Sequence, residues 1–109
     1  MYEDLRDDLL NNGQIPIAEY EWATRPRGDY GIVQIDFEAP SDDGDNLKQA
    51  RVLQGSVDLY THGNRPALWD AIEAILEDHC ESAWYLNSQS VDSATRMLHR
   101  EYVFETEAG

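Results

Sequence analysis

An α+β fold is what this sequence predicts: a mostly antiparallel sheet of about five strands flanked by two helices, in the order α-β-β-β-α-β-β. Three observations point to it. Gly55 to Leu76, GSVDLYTHGNRPALWDAIEAIL, reads as a strand, a tight turn and an amphipathic helix. Several other stretches alternate apolar and polar residues with the two-residue period of half-buried strands. Most connections between them are too short for a parallel crossover, which implies antiparallel neighbours. Helices covering one face of such a sheet are the natural packing.

The elements follow in order. Residues 2–11 form a short helix in which Tyr2, Leu5, Leu9 and Leu10 recur near helical spacing. Glu3, Asp4, Asp7 and Asp8 face water, and acids favour the helix N-terminus. Asn11-Asn12-Gly13 stops the helix, with Gly13 suited to a left-handed C-terminal position. Ile15 to Ala23 is the first strand, with Ala18, Tyr20 and Trp22 on one side and Pro16 near an edge start. Arg25 to Asp29 is a loop, and its Arg27-Gly28-Asp29 tripeptide reads as a chance turn. Tyr30 to Ala39 is the next strand, with Val33, Ile35 and Phe37 inward.

A loop from Pro40 to Asn46 follows. Its Asp42, Asp43 and Asp45 superficially suggest a calcium loop, but Gly44 comes too early and no Glu closes it. A solvated hairpin tip fits better. Gln49 to Thr61 is a long strand, bent or bulged near Gly55, where the alternation changes phase. The second helix runs from about Arg65 to Asp78, capped by Asn64, with Pro66 in its first turn. Leu68, Ile72, Ile75 and Leu76 form its apolar stripe. Ser82 to Ser88 and Arg96 to Glu105 make a closing hairpin across Ser90-Val91-Asp92-Ser93. Trp84 and Leu86 share one face of it; Leu98, Tyr102 and Phe104 share another. Thr106 to Gly109 reads as a frayed tail. The 109 residues make a single domain, 1–109.

Charge is the anomaly. Twenty-two acidic against eight basic residues give a net charge of −14, beyond the magnitude of about 2–8 usual for a small soluble domain. Such a surface repels phosphates, so direct nucleic-acid binding and anionic membranes are disfavoured. The charge serves solubility, docks a basic partner, imitates nucleic acid, or lines a passage through which DNA slides. The acidic N-terminus, MYEDLRDDLL, lacks the layout of a signal peptide. No apolar run approaches the roughly 18 residues that span a bilayer, so the expectation is a protein made in the cytoplasm.

Nothing in the chain marks catalysis. Cys80 is the only cysteine, which excludes an internal disulfide or a cysteine zinc site and suits a reducing compartment. It is expected just after a helix C-terminus, where the dipole disfavours a thiolate, at the rim of the core. His62, His79 and His99 have no partners at metal-ligand spacing. Phosphate-cradling glycine motifs and a nucleophile elbow are absent. The chain therefore reads as a non-enzyme without cofactor or metal. Three Trp, six Tyr and two Phe are many for its size. Trp22 and Tyr30 flank a basic loop holding Arg25 and Arg27, and Trp, Tyr and Arg dominate binding surfaces.

PIAEYEW, the Tyr30-Gly31 strand, the acidic loop, VDLYTHGNRPALWDAIEAIL and WYLNSQSVDSATRMLHREYVFE together resemble small structural proteins of tailed-phage and prophage head–tail modules. The likeness covers about residues 5 to 105 and rests on element order and texture. Within that group the chain looks most like the tail-terminator or tail-completion proteins. The resemblance implies a ring, typically a hexamer, at the head-proximal end of the tail tube. It implies a role in ending tube growth and in offering a surface for the head. The partners implied are copies of itself, the tail-tube protein and a head–tail connector protein, with DNA passing through unbound and no membrane contact. The implied location is the virion tail or neck, after assembly in the host cytoplasm. Head–tail connectors and minor capsid proteins are similar in size. The rival reading from charge is an acidic DNA mimic that inhibits a host DNA-binding protein, although the carboxylates are scattered. The candidate interaction residues are Trp22, Arg25, Arg27, Tyr30, Asp42, Asp43 and Asp45, the aspartates facing the lumen or a neighbouring ring.

Overall fold

Seven elements form in the computed structural model, which describes residues 1–40 and 51–107. They are α1 (Tyr2–Asn12), β1 (Ile17–Glu19), β2 (Tyr30–Pro40), β3 (Arg51–Thr61), α2 (Pro66–Cys80), β4 (Trp84–Val91) and β5 (Leu98–Glu107). The fold is α+β, with the element order the sequence predicts. The strands make one sheet in the order β1-β2-β3-β5-β4. β2 to β5 pair antiparallel, whereas β1 lies parallel to β2, so the sheet is mixed. β1 is only three residues long, which leaves residues 20–29 as a return connection to its parallel neighbour β2. Tyr20 adopts a positive φ of 68°, which ends the strand after Glu19 instead of at Ala23.

Alternation sorts the sheet into two faces. Val33, Val57, Leu59, Tyr102 and Phe104 turn to one side and meet Leu5 and Leu9 of α1 and Leu68, Ile72 and Leu76 of α2. That layer is the core. Tyr2 ties α1 to β1 by donating from its hydroxyl to Glu19 Oε2 at 2.6 Å. His79 of α2 bonds Asp8 of α1 through Nε2 at 2.9 Å. The other face of the sheet carries Tyr60, Asp58, His99 and Glu101, and no helix among the described residues covers it.

The structure corrects several local expectations. The bulge sits in β2, not β3: Ile35 faces Gly55 and Phe37 faces Gln54, leaving Asp36 as the extra residue. The phase change at Gly55 marks a close approach instead, because a Cβ there would lie 2.3 Å from the Gln34 carbonyl oxygen and 2.7 Å from Phe104. The extra residue turns Phe37 outward, where it is 51% exposed, although the alternation predicts it inward. A second bulge adds Asn87 to β4.

Gly13 has a right-handed φ of −78°, and Gln14 takes the left-handed position at 71°. Asn64 does not cap α2. Arg65 holds that place without a side-chain bond, and Asn64 Oδ1 instead accepts from Trp69 Nε1 at 2.9 Å. β5 continues through Thr106 and Glu107, which pair with Leu53 and Val52, so half of the expected tail belongs to the sheet. No helix among the described residues is long and apolar enough to cross a membrane.

Candidate interaction surfaces

The basic loop before β2 folds back on the sheet. Trp22 is half-buried and donates from Nε1 to the Gly31 carbonyl at 3.0 Å. Arg25 donates from Nη1 to the Tyr30 hydroxyl at 3.3 Å. Tyr30 is only 4% exposed and stacks on Tyr60 at 4.9 Å, which stacks in turn on His99 at 4.4 Å. Arg25 is thus tied to Tyr30 and Trp22 to the Gly31 carbonyl, and of Trp22, Arg25, Arg27 and Tyr30 only Arg25 and Arg27 present exposed side chains. Asp42, Asp43 and Asp45 lie outside the described residues.

Sequence reasoning misses the clamp that holds this loop. Asp29 accepts from the His62 amide and from His62 Nδ1, each at 2.9 Å, and from Arg65 Nη1 at 2.7 Å. Burial alone would raise its carboxyl, yet the bonds from His62 and Arg65 outweigh it and hold the pKa below the usual value. The partners are more than 30 residues away in the chain, so no local pattern announces them.

On the uncovered face, Asp58 accepts from His99 Nε2 at 2.7 Å and from Ser56 at 3.4 Å. Burial pushes its carboxyl up, and the charge of nearby Glu101 adds to this, against those bonds. Across the sheet, the Arg100 guanidinium lies 4.7 Å from the Trp69 ring and donates to Glu73 at 3.1 Å and to Tyr102 at 2.8 Å. The Tyr102 hydroxyl also donates to Glu73. Burial, then that bond, raises the phenol well beyond its ordinary range. These groups satisfy one another and anchor α2 to β5.

Cys80 is the last residue of α2, and burial pushes its thiol up to about 11. Asp8, Asp78 and His79 each bring one possible ligand atom within 4.8 Å of the others. The His79–Asp8 bond lowers the Asp8 carboxyl and already accounts for the cluster as a bridge between helices. Shallow hollows of about 240 and 410 Å³ lie near Trp84 and near Cys80; the second is lined by His79, Cys80, Glu81, Glu105 and Glu107, with the Cys80 thiol buried and its pKa raised.

Two open edges remain, and they differ in chemistry. β4, WYLNSQSV, has no charged residue in a chain that is 28% charged, and every side chain from Tyr85 to Val91 is exposed. At the other end, β1 pairs only with Gly31–Val33, so Gln34 to Pro40 has no strand beside it among the described residues. That edge carries exposed Asp36, Phe37 and Glu38. No protein-family model and no curated protein matches this chain.

Proposed function

We propose that this chain is a structural protein of a phage or prophage tail or neck, which assembles head to tail as a ring that ends the tail tube, joins it to the head, or both. One observation carries the reading: among the described residues a single chain presents two sheet edges with no strand beside them and of unlike chemistry, one uncharged and one bearing Asp36. Rings need such heterologous contacts, in which one patch meets a different patch on the next copy. The resemblance of the sequence to tail-terminator proteins supplies the setting. The tail-tube protein and the head–tail connector are its expected neighbours.

The net charge of −14 suits a passage that DNA crosses without sticking, because positive charge would hold the phosphates. It also keeps free subunits apart, so association strengthens as salt screens the repulsion. Electron microscopy of particles from a phage or prophage with this reading frame deleted tests the proposal. Overlong tubes without heads are the result expected of a terminator. Filled heads beside loose tails of normal length place the protein in head joining. Normal infectious particles refute the structural reading and favour a DNA mimic.

A further inference from the structure

We infer that the joint between copies is a strand-to-strand contact, in which the outer edge of β4 pairs antiparallel with Gln34–Pro40 of β2 in a second copy of this chain. It rests on the proposed ring and names its interface. Direction fits first. β2, β3, β5 and β4 alternate in direction across the sheet. A second copy added in the same orientation therefore sets its β2 antiparallel to β4. Size also fits, with the eight residues of β4 facing the seven from Gln34 to Pro40.

β4 has a backbone position free to pair. The Asp92 amide donates to the Met97 carbonyl at 2.8 Å, so the ladder alternation turns the N–H and C=O of the preceding Val91 outward. Folded proteins guard such edges with lysine, proline or inward charge. β4 has none of these, only the bulge at Asn87, and presents Leu86 and Val91 at 42% and 63% exposure.

Charge disfavours one alternative. Two β2 edges would place Asp36 against the same carboxylate of a second copy, and like charges across a strand pair repel. β4 against β2 brings no like charges together. β4 lies level with the β5 segment Leu98–Phe104, whereas Gln34–Pro40 lies level with Arg51–Ser56 of β3. Neighbouring copies are therefore staggered by about four residues, roughly 13 Å along the strand. A closed sheet of tilted strands requires such a stagger.

The test compares S88E/V91E with S88K/V91K by sedimentation velocity across concentration and salt. Both positions are exposed. The glutamate pair faces an acidic edge and should weaken association at least tenfold, whereas the lysine pair should preserve or tighten it. Adding Asp36→Lys should rescue the glutamate pair. Equal weakening by both pairs means β4 meets β4 and overturns the inference; so does indifference to both, or a wild-type chain that never associates. If a variant melts early, hydrogen exchange of the wild type reads the same joint. Amides of Gln34–Pro40 and Trp84–Val91 should slow together as concentration rises, and slowing confined to other segments overturns it. Edge-dependent assembly with normal deletion particles would keep the joint and remove the tail assignment; overlong tubes with charge-insensitive edges would do the reverse.

Discussion

Placing a methyl group at position 55 asks for space that two neighbours already fill. The new Cβ of Gly55→Ala would lie 2.3 Å from the Gln34 carbonyl oxygen and 2.7 Å from the Phe104 ring. An ordinary contact needs about 1 Å more than the first distance allows, so the β2 backbone must move beside its bulge. Overpacking of this kind costs about 1–3 kcal/mol, and a disturbed ladder bond adds about 1 kcal/mol. The stiffer unfolded chain returns about 0.4–1 kcal/mol. The net loss is about 1–4 kcal/mol, on the order of 5–30 °C in melting temperature for a domain of this size. Thermal and urea denaturation followed by circular dichroism measure it. Phe104→Leu in the same chain should relieve only the ring contact, so the pair should couple without full rescue. A shift below about 3 °C for Gly55→Ala alone would refute the reasoning.

Other outcomes follow from the polar groups. Asp29→Ala should cost about 1–2 kcal/mol, discounted because His62 and Arg65 are 60% and 42% exposed; chemical denaturation tests it, and proteolysis should cut the loop before β2 faster. The Asp29 and Asp8 carboxyls are held below their unfolded pKa values. Their stabilisation is full above the unfolded value and lost as pH falls through the folded one. Asp29→Ala should therefore flatten part of the acid limb of stability against pH. Asp58 has the opposite sign, since its folded pKa is raised. Asp58→Asn should raise the melting temperature near neutral pH, with the gain shrinking as acid protonates the wild-type carboxyl. The Cys80 thiol, buried and at about 11, is about one part in a thousand thiolate at pH 8. A disulfide reagent should label it slowly in the native protein and at once in denaturant.

The fold was legible because its main elements are written in periodicity. The α2 stripe of Leu68, Ile72 and Leu76 is buried as its spacing requires, and the alternation of Val57 and Leu59 gives β3 its core face. Boundaries failed where backbone conformation overrode pattern. Tyr20 takes a left-handed φ that nothing in PIAEYEW announces, and the extra residue Asp36 reverses Phe37 although the alternation continues through it. Asn64 is a good capping residue spent on Trp69, because satisfying a buried indole N–H competes with the helix end. Among the candidate interaction residues, the place of Trp22 and Tyr30 beside the basic loop is legible in the sequence. Their burial depends on Gly31 and Tyr60 across the sheet, which is tertiary information.

The sheet order has a consequence for how the chain folds. β5 follows every other element in sequence, yet it lies inside the sheet between β3 and β4. Its ladder with β3 joins residues as far apart as Val52 and Glu107. Until β5 arrives, β3 lacks a neighbour on that side and β4 has no partner at all. Helix and hairpin formation upstream cannot complete the core without Tyr102 and Phe104, both fully buried. Folding dominated by such distant pairings is slow, and its unfinished states expose unpaired strands to one another. For a chain with an uncharged outer strand, the interval before β5 docks is the time of greatest risk from wrong partners.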